Sequence, residues 1–271
     1  GEGGSRAEAE IAPTLPYFFP MLNHSIHQVP VLADMFEELG VESAAIMYIG
    51  DSHGIDYSEL TVPALEEIGV EIVFSTSVPM EVDDVSHLIN EAEAAGAEAF
   101  LSFCYPPQNM LLMAQIQEIG YNPDILLIGP GANSQWFYYE MGEALNGVWA
   151  WGAWNQKSGP GAAEFYELFT DYYDGDGLID WWGTLPYYVL VQILEQAIEM
   201  AGTLDNDVLK DVIATEEFDT AMGPLRFNEK GMLPIEAYAG QVGQWQDGQF
   251  EVIGPADQAT AEPIVPKPEW P

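Results

Sequence analysis

Between about Ile26 and Val148 the chain alternates short, wholly apolar runs with stretches of helical spacing, joined by short connections that carry glycine. Ile26–Leu39 reads as a helix closed by Gly40, Ala44–Ile49 as a strand, Tyr57–Ile68 as a helix ended by Gly69, and Val70–Ser75 as a strand. Val82–Ala95 is helical up to Gly96, Ala97–Phe103 extended, Met110–Ile119 helical, Ile125–Ile128 extended, Trp136–Leu145 helical and Val148–Trp151 extended. Strands that are apolar along their whole length bury both faces, which requires a mostly parallel sheet covered by helices. The pattern predicts a doubly wound α/β lobe.

Charge narrows the partners. The 271 residues include 44 Asp and Glu against 6 Lys and Arg, a formal charge of −38, and no Lys or Arg occurs from Ala7 to Gln156. With 48% apolar residues the chain is globular rather than a disordered acidic polymer. Such a surface repels nucleic acid and anionic lipid, so neither is an expected partner. Self-repulsion of this size is relieved by screening ions, and a salt-rich habitat is the matching expectation. Cys104 is the only cysteine, which excludes an intrachain disulfide. No apolar run reaches membrane-spanning length. The chain opens on Gly1 with no leader pattern, as a processed, trimmed or partial chain does.

Beyond Trp151 the pattern changes. Helices are expected at Ala162–Tyr173, Leu185–Ala201 and about Asn206–Ala214, strands at Ala237–Trp245 and Phe250–Ile253, and a Pro-rich tail from Pro255. These strands are too few to build a second sheet. The segment Thr220–Gly231 is more specific: Gly223-Pro224 makes a turn, Leu225 and Phe227 alternate with Arg226, and Asn228–Gly231 turns the chain again.

This string closely resembles the signature near the C-terminus of the leucine/isoleucine/valine-binding protein family, the extracytoplasmic solute receptors of branched-chain amino-acid ABC importers. The resemblance runs from about Gly1 to Ile253. It implies the type I periplasmic-binding-protein fold, two α/β lobes crossed three times by the chain, with the first four or so β-α units of the N-terminal lobe missing. On this reading residues 1–19 and 154–235 form an incomplete N-terminal-type lobe, 20–153 and 236–254 a complete C-terminal-type lobe, and 255–271 a tail. The implied function is capture of a small amino-acid-like or nitrogenous ligand between the lobes, without chemistry and without a cofactor. The implied partner is a membrane permease and the implied location periplasmic or extracellular. Sheet edges left open by an incomplete lobe make self-association an expectation.

Strand ends supply the candidate contacts, because α/β proteins bind ligands at the carboxyl edge of a parallel sheet. The strand Ala45–Ile49 runs into Gly50–Gly54, where His53 stands at a position the family commonly fills with a ligand-facing Tyr. Tyr105 follows the next strand. Gly131 follows the one after, in place of the acidic residue that many members use to bind an amino group. That replacement points towards backbone groups and aromatics as the ligand's partners. Gly4 and Ser5 match a carboxylate-gripping loop. Ser25 and His27 lie where the family enters its second lobe, and Trp182 matches an aromatic cover over the ligand. Two rivals stay open: a ligand-sensing domain of a receptor or regulator, and a metal-dependent hydrolase using His24, His27 and His53. The acidic run Asp171–Asp180 departs from the EF-hand register. No phosphate-loop Lys is present.

Overall fold

The computed structural model describes residues 6–152 and 154–271. The chain enters through helix α1 (Arg6–Ile11) and a short 3-10 turn at Ala12–Thr14. Five β-α steps follow: α2 (Ser25–Leu39), β1 (Ser43–Ile49), α3 (Ser52–Glu67), β2 (Glu71–Val78), α4 (Ser86–Ala95), β3 (Ala99–Phe103), α5 (Pro106–Ile119), β4 (Ile125–Ile128), α6 (Gln135–Met141) and β5 (Trp149–Trp151). Then come α7 (Pro160–Tyr173), α8 (Thr184–Ala201), α9 (Asn206–Thr215), the small hairpin β6 (Phe218–Thr220) and β7 (Gly223–Leu225), and the pair β8 (Val242–Gln246) and β9 (Gln249–Gly254).

The main sheet has seven strands in the order β2-β1-β3-β4-β5-β8-β9. β1 to β5 run parallel, and β8 and β9 extend the sheet antiparallel. Successive strand residues point to opposite faces, so each strand feeds two cores. Ala44 and Ile46 of β1, Leu101 of β3 and Leu127 of β4 pack against Leu32 and Phe36 of α2 and Leu65 of α3. Ala45, Met47, Phe100, Leu126 and Ile128 pack against Leu88 of α4, Leu112 and Met113 of α5 and Phe137 of α6. The strand order reverses between β1 and β3, which opens a crevice at their carboxyl ends.

Several element bounds differ from the sequence expectation for local reasons. α3 starts five residues before Tyr57, because Asp51 caps it by accepting from the backbone N–H groups of His53 and Gly54 at 3.0 and 3.2 Å. α4 starts only at Ser86, where Asp84 accepts from its N–H at 2.8 Å and ends the acidic turn. Gly223-Pro224 is not the turn but strand β7; the reversal falls at Ala221-Met222, with Thr220 Oγ1 donating to Gly223 O at 2.7 Å. Leu225 and Phe227 are buried and Arg226 exposed, as their alternation predicts. The expected strand from Ala237 begins only at Val242, because Ile235–Ala237 forms a 3-10 turn and Tyr238 ties to Leu22 O at 3.0 Å.

α8 carries two apolar stripes. Leu185, Val189, Ile193 and Ala197 are buried, while Tyr187, Leu190, Val191 and Leu194 are exposed. Residues 255–271 contain no helix or strand and run as a strap from the end of β9, past Val252 and Gln244, to the residues that precede β4. Lys267 N donates to Asp124 O at 2.8 Å, Trp270 Nε1 to Tyr121 O at 2.9 Å, and the Lys267 ammonium sits 3.5 Å from the Trp270 ring centroid.

Candidate functional site

Five strand-end and helix-start side chains meet at the crevice. Asp51, just past β1, caps α3 with Oδ1, and its Oδ2 accepts from Tyr105 Oη, just past β3, at 3.0 Å. That bond and burial push the Tyr105 hydroxyl up to about 12, burial being the larger cause, so it is a donor at neutral pH. The His53 ring stacks on Tyr105 with centroids 5.2 Å apart at 21° and meets Tyr57 edge-on at 5.0 Å. Tyr57, one turn further along α3, stacks on Trp151 at the end of β5 at 5.4 Å and lies 5.4 Å from Phe103 of β3. Its hydroxyl donates to Gln28 Oε1 of α2. Rings from α3 and from the carboxyl ends of β3 and β5 therefore form one wall.

The second cluster lies beside it. Ser25 Oγ donates to Asp56 Oδ2 at 2.5 Å, and Arg6 reaches the same carboxylate through its backbone N at 2.8 Å and Nε at 3.1 Å. Arg6 Nη2 also pairs with Glu59 at 2.8 Å. Arg6 is thus held between two carboxylates.

Among the sequence candidates, His53 and Tyr105 are in direct contact, and Ser25 joins them through Asp56 on the same helix as His53. His27 is partly buried beside Tyr238, with ring centroids 6.0 Å apart. Gly131 is buried, with φ +119; its N–H goes to Asn133 Oδ1 at 2.9 Å and its carbonyl accepts from Ser134 N at 2.9 Å. Trp182 is partly buried next to Gly152, the residue after Trp151, and its backbone N donates to Asp180 Oδ1 at 2.9 Å. Gly4 and Ser5 lie outside the described residues. Gln28, Tyr57 and Trp151 are absent from the sequence-level set. Only Tyr57 carries a local signal, four residues after His53 and so on the same helix face.

The metal reading does not survive the geometry. His24 and His27 meet edge-on at 5.9 Å, whereas the ring contacts of His53 are with Tyr57 and Tyr105. Among the described residues no group of three or more His, Cys, Asp or Glu is spaced to hold a metal ion. In the acidic run, Asp176 accepts from Tyr139 and Asp180 from Asn133. A voluminous open groove, about 490 Å³, lies elsewhere, between α7, α8 and the small hairpin, and is bordered by Glu164, Glu167, Asp171 and Asp219. No strand end of the main sheet reaches it, so the crevice is the better candidate site.

Burial, aided by the neighbouring His24, depresses His27 to about 4 from its ordinary 6.5. The unfolded chain therefore takes this proton first as pH falls. Stability from the neutral ring is complete above about 6.5 and lost as pH drops from there towards 4. Substitution His27→Phe is expected to remove about 1–2 kcal/mol of this pH dependence, discounted for partial exposure. Urea midpoints of both proteins at pH 4.5 and 7.5 check it; a difference that does not change with pH contradicts it.

A family model described as "Periplasmic binding protein" matches residues 4–249. Leu/Ile/Val-binding protein homolog 7 of Brucella abortus (strain 2308) is 25% identical over 233 residues, covering 82% of this chain and 57% of that protein. Homolog 3 of Brucella melitensis biotype 1 is 23% identical over 227 residues, covering 82% of this chain and 60% of that protein. The chain thus spans about 57–60% of the length of these curated relatives. Among solved structures, a leucine binding protein from Thermotoga maritima MSB8 superposes with TM-score 0.76 at 19% identity, over 96% of this chain and 71% of that one. A putative branched-chain amino acid ABC transporter protein from Silicibacter pomeroyi gives 0.79 at 16% identity, over 97% and 74%. These likenesses agree with the type I periplasmic-binding-protein fold. The chain belongs to the periplasmic binding protein family.

Proposed function

We propose that this chain is the solute-binding component of an ABC importer, acting outside the cytoplasm and delivering a small ligand to a membrane permease. The observation that supports the reading most is the convergence of Gln28, His53, Tyr57, Tyr105 and Trp151 at the point where strand order reverses. Nothing in this constellation pairs a nucleophile with a base and an orienting group. In this proposal residues 20–153 and 236–254 form one lobe, 1–19 and 154–235 contribute part of the other, and the ligand lies between them. Among the described residues no helix is long and apolar enough to cross a membrane. The exposed stripe of α8 is the surface through which copies would self-associate, and sedimentation at several concentrations tests that.

Thermal-shift screening of the full chain against amino acids, amides, polyamines and betaines tests the function. A ligand at 100 times its Kd stabilises the folded state by about 2.7 kcal/mol, which is a rise of several degrees. A screen in which no compound raises the midpoint of folded protein counts against the receptor reading.

A further inference from the structure

Exposed apolar side chains gather beside α7 on its flank towards α8. The groove of about 490 Å³ bordered by Glu164, Glu167, Asp171 and Asp219 continues there into an apolar hollow of about 400 Å³. Phe165, Leu168 and Tyr188 line both, so the two make one trough. In its apolar half Tyr172 is 79% exposed, Tyr173 51% and Leu168 52%. The Tyr173 ring rests against Phe169 and Tyr172, with centroids 4.6 and 4.8 Å away, which holds these rings together at the surface. Apolar patches rimmed by polar groups mark interaction surfaces, and tyrosines offer contact area at little entropic cost.

The other half is charged and uncompensated. Glu164, Glu167 and Asp171 stand three and four residues apart, so they line one face of α7 over about 10 Å. All three are exposed, and none takes part in the ion pairs of the described residues. No Lys or Arg borders either half of the trough. Its complement is therefore a cation joined to apolar groups. A guanidinium suits both halves, because it pairs with carboxylates through parallel N–H bonds and stacks on tyrosine faces. A small molecule would be poorly enclosed in so open a trough, and an anionic lipid surface is repelled. A second copy brings 6 Lys and Arg against 44 Asp and Glu, so charge opposes it here.

We infer that the trough between α7 and α8 docks a protein segment carrying arginines beside apolar residues, its guanidinium groups on Glu164, Glu167 and Asp171 and its apolar side chains against Leu168, Tyr172 and Tyr173. The inference does not depend on what the crevice binds.

Fluorescence anisotropy of the full chain with a labelled peptide of two arginines followed by leucine and phenylalanine tests it. Neutralising the row in one variant, Glu164→Gln with Glu167→Gln and Asp171→Asn, should weaken binding about tenfold, the sum of three exposed charge pairs. The matched control, Glu37→Gln with Glu38→Gln and Glu67→Gln, removes the same charge from exposed positions on α2 and α3 and should weaken it less than about twofold. Tyr172→Ala should cost about two- to fivefold, and lysine in place of arginine in the peptide a similar factor. All substituted positions are exposed, and circular dichroism checks that each variant is folded. Equal losses in the two charge variants overturn the inference, because the attraction then belongs to the overall charge. Unchanged affinity in Tyr172→Ala overturns it as well, as does failure of the arginine peptide to bind or equal binding of its glutamate counterpart. A parent chain that sediments as a dimer, dispersed by the trough variant and not by the control, overturns it in favour of a second copy.

Discussion

Replacing Gly54 with alanine is expected to destabilise the chain by more than the usual 1–3 kcal/mol of an overpacked site, a large share of an ordinary stability of about 5–15 kcal/mol. A Cβ at Gly54 would stand 2.2 Å from Ile49 O, 2.6 Å from Ile49 N and 2.9 Å from Ile49 Cγ2. Two of these atoms are backbone, so no rotamer change relieves the overlap, and β1 and α3 must move apart. That movement separates Asp51 from the N–H groups it caps and His53 from Tyr105. Gly40→Ala is the control: a Cβ there meets nothing within 4 Å, and only its φ of +69 resists the change, at a cost of about 1–2 kcal/mol. Urea unfolding followed by circular dichroism should rank Gly54→Ala well below Gly40→Ala. Equal midpoints would show that the strand-to-helix junction is looser than described.

Trp245→Ala is expected to cost about 3–5 kcal/mol. The side chain is fully buried on β8, stacked on Tyr138 at 4.6 Å and edge-on to Phe250 at 5.3 Å. Its Nε1 donates to Ala132 O at 2.6 Å, inside the loop that follows β4. Truncation therefore opens a cavity and also leaves a buried carbonyl without its donor. Trp245→Phe separates the two effects: it retains most of the packing and loses the hydrogen bond, for about 1–3 kcal/mol. Midpoints in the order parent, Phe, Ala are the expected result, and a Phe variant as stable as the parent would mean that the bond to Ala132 contributes nothing.

Much of the sheet was legible because its strands are wholly apolar, a pattern that survives without knowledge of what lies opposite. The strands expected at Ala44–Ile49, Ala97–Phe103 and Ile125–Ile128 are found at Ser43–Ile49, Ala99–Phe103 and Ile125–Ile128. His53 and Tyr105 could be named because each follows such a strand. Their contact with one another, and with Tyr57, Trp151 and Gln28, depends on strand order, which is set by pairings tens of residues apart. Gln28 illustrates the limit: an amide in the first turns of a helix reads as surface, and only the Tyr57 hydroxyl marks it as interior. Helix starts were misjudged where a side chain outside the apolar pattern caps the end, as Asp51 does for α3. The turn at Gly223-Pro224 failed for another reason: Gly223 takes the positive φ the motif suggests, but as the first residue of β7 rather than in the bend.

The strap formed by residues 255–271 has a practical corollary. It finishes against Tyr121 and Asp124, which precede β4, whereas Tyr105, His53 and Trp151 sit at the other end of the strands. An anchor coupled at Pro271 would hold the molecule by the side remote from the crevice, so protein tethered to a sensor chip that way would face its crevice outward to passing solutes.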